Sequence, residues 1–187
     1  MRWAALYARS RQAPVAFAAL LVATAGVWFL ARDSWSPIAV MLTLTSGIAV
    51  AAIGLSGQDP DMDRTAALPW PVRRFAHLAL IGLTAGAAVL AVQELGALTV
   101  DLSIILRDAA GLLGLAGLAA TVAGGQYGWT LPLAWAATTP FVQDDGSTTS
   151  HIVAWMLQPA GTAAATWTAL VLAVGGTVAY TARGGRR

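Results

Sequence analysis

The densest group of charged residues in this chain is the stretch DPDMDRTAALPWPVRRFAHL, which lies between long apolar runs. Its three aspartates, Asp59, Asp61 and Asp63, stand at alternate positions, as they do at the start of a calcium-binding EF-hand loop. That loop also needs glycine at its sixth position and glutamate at its twelfth, and here these are Arg64 and Trp70. The pattern therefore does not predict a calcium site.

The second half of the stretch is basic and carries Arg73, Arg74 and His77. The only other histidine is His151. These two histidines would lie near opposite faces of a bilayer whose core is about 30 Å thick. They cannot jointly ligate a haem or a metal ion, so we predict neither a metal site nor any other cofactor.

Composition excludes several kinds of catalysis. The chain has no cysteine, which removes thiolate nucleophiles and thiolate metal ligands. It has no lysine either, whereas a Walker A loop needs one against the phosphates. No interface collects a cluster of His, Asp and Glu that could serve an enzyme acting on lipid. We expect no enzymatic activity, and any ATPase activity would belong to a partner subunit.

The elements that must position these charges are apolar helices. The chain is 57% hydrophobic and 11% charged, against about 25% charged residues in soluble domains. The sequence predicts an all-α, polytopic membrane protein that forms one transmembrane domain over residues 1–187. Runs of about 20 apolar residues can span a bilayer. The predicted spans are 14–31, 37–55, 75–92, 102–123, 129–142 and 159–180, of which 129–142 is short and contains two prolines.

The arginines predict the orientation, because cytoplasmic loops carry an excess of basic residues. With six spans and both termini in the cytoplasm, nine arginines fall inside, and only Arg32 and Arg107 fall outside. If 129–142 did not cross, the ratio would be six to five. The bias favours six spans and makes 56–74 the longest cytoplasmic loop. We expect a multi-pass protein of the cell membrane, in contact with lipid and not with nucleic acid.

Two further features have alternative interpretations. Arg107 and Asp108 are the charges closest to membrane depth, and either they face the bundle interior or they reach the outer surface. Gly111, Gly114 and Gly117 are small residues whose spacing allows helices to approach closely, either within the chain or across a dimer interface.

The segment HIVAWMLQPAG, between a polar stretch and the last span, indicates a short outer helix or re-entrant element. Together with the six spans, the cytoplasmic ends and the charged loop between spans two and three, it resembles the permease subunits of type-two ABC exporters. The segments RDAAGLLGLAGLAA and AWMLQP are similar to small permease-like proteins of actinobacteria.

The resemblance implies partners and a role for the opening stretch. In that family the cytoplasmic loop carries a coupling helix that docks on a separate ATPase, and two permease halves form the export path. The loop of this chain would contribute the coupling residues Asp59, Asp61, Asp63, Arg64, Arg73 and Arg74. The partners would be an ABC ATPase subunit and a second half, identical or related. Alternatively, the loop is simply solvated and the protein is a non-catalytic accessory or scaffold subunit.

Overall fold

The structure is a computed structural model that describes residues 13–55, 70–96 and 98–185. These residues form helices joined by turns, with no strand among them. The α-helices in this part of the chain are α1 (Ala13–Ala31), α2 (Pro37–Ala52), α3 (Trp70–Gln93), α4 (Leu102–Val122), α5 (Thr130–Thr138), α6 (Thr148–Val153) and α7 (Ala163–Arg183). Short 3-10 turns lie at Arg32–Ser34, Ile53–Leu55, Gly125–Tyr127, Thr139–Phe141 and Trp155–Leu157.

Four of these helices are long and apolar enough to cross a membrane, as expected for a multi-pass membrane protein. The spanning stretches are Val15–Ser34, which includes the 3-10 turn after α1, and Pro71–Gln93, Leu102–Val122 and Ala163–Arg183. The α2 helix is shorter, with 16 residues, and continues as a 3-10 turn. The α5 helix has nine residues and is therefore about 14 Å long, which is less than half of a bilayer core.

The start of α3 corrects the predicted loop of 56–74. The helix begins at Trp70, so Arg73 and Arg74 lie in its first turns and not in a loop. Pro71 explains the early start, because proline fits the first turn of a helix, where its missing N–H has no partner to lose. Asp59, Asp61, Asp63 and Arg64 lie outside the described residues.

The last helix also departs from its predicted bounds of 159–180. Gly161 has a φ of 84°, which is not helical, and α7 begins only after it, at Ala163. Gly184 ends α7 after Arg183, with a φ of 76° that glycine adopts at little cost. The short element expected before the last span is present as α6 and the 3-10 turn Trp155–Leu157.

The α4 helix is the centre of the bundle. In the apolar stretch of α4, 67% of the residues are buried inside the bundle, whereas the corresponding shares in α1, α3 and α7 are 11%, 28% and 22%. The outer helices turn large apolar side chains away from the bundle, which suits contact with lipid. Those exposed in α1, α3 and α7 include Phe17, Val22, Phe29, Leu30, Val72, Leu83, Trp167, Val171 and Val178.

The contacts of two glycines show how the first four helices run. A Cβ on Gly47 of α2 would lie 3.4 Å from the side chain of Leu20 in α1 and 3.7 Å from that of Ala85 in α3. A Cβ on Gly82 of α3 would meet Leu113 of α4. With the turn after α1 and the connection after α3, these contacts make each helix antiparallel to the next.

The α4 and α7 helices run in the same direction, with their backbones in close contact. Gly114 faces the backbone of Leu172, and a Cβ on Gly117 would lie 2.8 Å from the carbonyl oxygen of Gly176. Farther along, Gly185 packs against Gly125. Because α4 and α7 are parallel, residues 123–162 carry the chain back to the other end of the bundle.

The bundle therefore has two ends. The first, which we call the loop face, contains Leu55 at the end of the turn after α2, Arg74 in α3, Gly125 after α4 and Gly184 after α7. The other, the turn face, contains the turn Arg32–Ser34 and the connection between α3 and α4. The start of α1 lies toward the loop face, since α1 is antiparallel to α2.

Candidate functional site

A buried ion pair lies in the second turn of the central helix. Arg107 Nε donates a hydrogen bond of 2.9 Å to Asp108 Oδ1. Arg107 is 9% exposed and Asp108 is fully buried. The helix positions both residues: α4 begins at Leu102 because the carboxylate of Asp101 caps it by accepting the N–H of Ser103 at 2.7 Å.

Arg107 also binds the segment that precedes α7. Its Nη1 donates to the carbonyl oxygens of Gln158 at 3.0 Å and Pro159 at 3.3 Å, and its Nη2 donates to that of Met156 at 3.4 Å. The alternative in which this pair reaches the outer surface is therefore wrong. A guanidinium can remain buried here because a carboxylate and three carbonyls replace its hydration.

The small residues of α4 make room for this segment and for α7. The ring of Trp155 lies against Gly111, where a Cβ would come within 2.9 Å of Cζ3. Gly114 and Gly117 contact α7, as described above. These three glycines were predicted to pack helices, and in this chain two of them contact a helix while Gly111 accommodates an indole ring. Their contacts lie within the chain, so they do not require a dimer.

Polar side chains tie the same segment to the loop before α6. His151 Nε2 lies 3.3 Å from Asp144 Oδ1, and Gln158 Nε2 donates to Asp144 Oδ2 at 3.5 Å. The hydrogen bond from the backbone N–H of Gly146 is the main cause that lowers the pKa of Asp144. Since the Gln158 carbonyl also accepts from Arg107, a chain of polar contacts runs from the buried ion pair to an exposed carboxylate.

The neighbouring Asp145 gives this loop a pH dependence. Hydrogen bonds from the hydroxyl and the backbone N–H of Ser147 lower the pKa of Asp145 from 3.8 to about 2. Its stabilising contribution is therefore present above pH 3.8 and is lost as the pH falls through about 2. We expect the thermal midpoint of the protein in detergent to fall over this interval, and to fall less in Asp145→Asn. An equal fall in both proteins would contradict the assignment.

At the loop face, the last turn of α7 binds residues on both sides of segment 56–69. Tyr180 donates its hydroxyl to the carbonyl oxygen of Leu55 at 3.3 Å, just before the segment. Arg74 Nη1, shortly after it, donates to the carbonyl oxygen of Thr181 at 3.2 Å. The guanidinium of Arg74 also packs against Gly184, whose lack of a side chain leaves room for it.

The predicted site residues thus fall into separate places. Arg107 and Asp108 meet the segment before α7, whereas Arg73 and Arg74 belong to the loop face. No group of three or more His, Asp or Glu side chains among the described residues could hold a metal ion. The backbone carbonyls bound by Arg107 and the hydroxyl of Tyr180 were missed by sequence reasoning. Neither has a sequence signal, because the partners are far apart in the chain.

In comparisons with protein-family models, with curated proteins and with solved structures, this chain matches none of them. Its function must be inferred from its own residues and their contacts.

Proposed function

We propose that this chain is the transmembrane subunit of an ABC-type export complex in the cell membrane. In this proposal it has six crossings and two cytoplasmic termini, and segment 56–69 docks on a separate ATPase subunit. That subunit hydrolyses ATP, and this chain pairs with a second permease half, identical or related, to move a small or amphipathic substrate. The chain itself carries no catalytic residue.

The observation that carries the proposal is that one helix binds residues on both sides of segment 56–69, namely Leu55 and Arg74. Tyr180 and Thr181, in the last turn of α7, bind the residues on either side of the segment. A force applied to the segment would therefore act on α7. Because α7 contacts α4 backbone to backbone, it would also act on the central helix.

The far end of α4 provides the rest of the path across the bundle. There Arg107 holds the segment 156–159 close to the turn face. A displacement of α4 and α7 at the loop face would therefore be transmitted to the opposite end of the bundle through a packed pair of helices and a set of hydrogen bonds. This is the kind of rigid connection that a coupling subunit needs to link ATP hydrolysis on one side to opening on the other.

The directions of the helices support the orientation and the even number of crossings. The start of α1, the end of α7, and Leu55 and Arg74 on either side of segment 56–69 lie at the loop face. This is the face to which the sequence assigns nine of the eleven arginines. In this proposal the segment 129–142, which contains α5 and the 3-10 turn Thr139–Phe141, makes the fifth crossing. The polar loop with Asp144 and Asp145 then lies outside the bilayer, and α6 is the short outer element before the last span.

The tight contact between α4 and α7 at the centre of the bundle favours a second candidate function, that of an accessory or scaffold subunit. Gly114 and Gly117 bring the backbones of α4 and α7 so close that no substrate can pass between these two helices. In the export proposal the substrate instead moves along the outer surface of the bundle, against the second half. In the accessory proposal no substrate moves, and segment 56–69 binds no ATPase.

A charge reversal in the segment separates the two candidates. We expect the tagged protein, purified in mild detergent from its native host, to bring with it a subunit that carries the motif G-x-x-x-x-G-K-[ST]. The double variant Asp61→Arg with Arg64→Glu keeps the net charge and is expected to lose that subunit. The measurement is the ratio of the two chains by quantitative mass spectrometry.

The turn face offers a matched control for this experiment. Arg32 and Asp33 also form an exposed pair of opposite charges, 3.7 Å apart, at the other end of the bundle. Arg32→Glu with Asp33→Arg should retain the ATPase subunit in full. If no nucleotide-binding subunit accompanies the unchanged protein, the accessory candidate replaces the export candidate.

A further inference from the structure

Several buried polar atoms have no hydrogen-bond partner among the described residues, and three of them lie in α2, α4 and the turn before α7. These three are Oγ1 of Thr45 in α2, Oδ2 of Asp108 in α4 and Nε1 of Trp155 in the turn before α7. Thr45 is 2% exposed, and Asp108 and Trp155 are fully buried. Polar groups buried inside a membrane protein normally find partners, because neither lipid nor apolar side chains can supply them. Each of these atoms therefore needs an explanation.

Two glycine contacts establish a common level on α2 and α4. Gly47 of α2 lies beside Ala85 of α3, and Gly82 of α3 lies beside Leu113 of α4. Ala85 follows Gly82 by three residues, and α3 is antiparallel to α4, so Ala85 lies at the same height in the bundle as position 110 of α4, three residues before Leu113. Gly47 of α2 therefore also lies at the height of position 110. Since α2 and α4 run in the same direction, equal steps along the two helices keep their residues at equal heights.

This register places Thr45 and Asp108 at the same height. Thr45 lies two residues before Gly47, and Asp108 lies two residues before position 110, which is at the height of Gly47. Two residues are about 200° of helical rotation, so Thr45 is on the side of α2 turned away from α3. The 3-10 turn Trp155–Leu157 packs against both α2 and α4.

Trp155 belongs to the same site because two contacts hold it there. Its ring lies on Gly111, one turn beyond Asp108, and the carbonyl of the next residue, Met156, is bound by Arg107. The three unpartnered atoms therefore converge at the junction of α2, α4 and the turn before α7. They supply one acceptor, from the carboxylate, one donor, from the indole, and a hydroxyl that can act as either.

The charge of the site limits what it can bind. The carboxylate of Asp108 is already balanced by Arg107, which lies 2.9 Å away. A second cation would add an unbalanced charge in an apolar environment, and the indole N–H has no lone pair to offer it. A neutral group that both donates and accepts a hydrogen bond satisfies the carboxylate, the indole and the hydroxyl together.

We propose that this junction is a buried binding site for such a neutral group, either a hydroxyl or amide of an organic ligand or a water molecule. Oδ2 of Asp108 accepts a hydrogen bond from the bound group, and Nε1 of Trp155 donates one to it. The hydroxyl of Thr45 completes the set. The site needs no ATPase partner and does not depend on the proposed export function.

A double-mutant cycle between Thr45 and Trp155 tests the site in the full-length protein in detergent. Thr45→Val removes the hydroxyl at nearly constant volume, and we expect it to lower the thermal midpoint by about 3 °C. Trp155→Phe removes the donor but also shrinks the ring, so its own effect decides nothing. In the double variant the loss is expected to be clearly smaller than the sum of the two, because both changes remove contacts to one bound group.

Thr43 provides the matched control on the same helix. It is also buried, but its hydroxyl donates to the carbonyl oxygen of Ala39 at 2.8 Å, within α2. Thr43→Val and Trp155→Phe should therefore have additive effects. The proposal is overturned if Thr45→Val raises the midpoint or leaves it unchanged, or if its effect adds to that of Trp155→Phe.

Native mass spectrometry distinguishes the two sources of the bound group. An organic ligand is shown by an adduct on the unchanged protein that is lost in the double variant Thr45→Val with Trp155→Phe. A water molecule is shown if no such adduct is found and the effects of the two substitutions on the thermal midpoint are still non-additive. Both results require that the effects of Thr45→Val and Trp155→Phe on the thermal midpoint be non-additive. If these two effects simply add, the site is refuted whatever the mass spectrum shows.

Discussion

Replacing Arg107 with leucine should destabilise this protein more than any other single change of a charged residue among those described. The substitution leaves the carboxylate of Asp108 buried without a partner and removes the donors from three carbonyls. Breaking a buried ion pair by removing one partner costs about 3–5 kcal/mol. In a protein of this size that corresponds to a fall in the thermal midpoint of about 10 °C. Fluorescence-detected size-exclusion chromatography after heating measures it.

The pair Arg32 and Asp33 is the matched control, since it has the same residues in the same order. Its side chains are 52% and 93% exposed, and its closest approach is 3.7 Å. Arg32→Leu should change stability by less than about 1 kcal/mol, because exposed ion pairs contribute little and the contact with the ring of Phe29 is also exposed.

The double variant Arg107→Leu with Asp108→Leu separates charge from packing. It removes both charges, so no ion remains buried without a partner, and only the carbonyls lose their donors. It should be more stable than Arg107→Leu alone. A single variant as stable as the unchanged protein would show that Arg107 does not hold the segment before α7.

The four long apolar helices and the short element before α7 could be predicted from sequence because their signals are local. Long apolar runs give the helices of the outer layer, and glycine, proline and polar stretches separate them. The start of α3 was misplaced because Arg73 and Arg74 looked like part of a loop. Pro71 was the better signal, and Arg74 is accommodated in a helix because its side chain reaches the end of α7.

The site was less predictable because it depends on contacts between distant residues. The carbonyls that Arg107 binds lie 49 to 52 residues away in sequence. Hydropathy could not tell which helix is central, since α1 is more apolar than α4 yet far less buried. The small residues of α4 were the only local sign of its position, because a helix surrounded by others needs surfaces that backbones can approach.

Substituting alanine for Gly114 and for Gly86 should have effects of opposite sign. A Cβ on Gly114 would meet the backbone of Leu172 and the start of the next residue, and backbone atoms cannot rotate away as a side chain can. The α7 helix would have to move, and overpacking of this kind costs about 1–3 kcal/mol. A Cβ on Gly86 of α3 would have nothing within 4 Å. There alanine should stabilise by about 0.5–1 kcal/mol, the difference in helix propensity.

The comparison isolates packing because the chemical change is identical and both glycines lie inside long helices. Thermal midpoints of the two single variants in the same detergent measure it. A fall for Gly114→Ala with a rise for Gly86→Ala would establish that α4 and α7 touch through their backbones within one chain. If both variants gained stability, α4 and α7 would not be in contact at Gly114, and the glycines of α4 would instead be available to a second copy. The connection from the loop face to Arg107 would then be broken, because it requires α7 to press directly on α4.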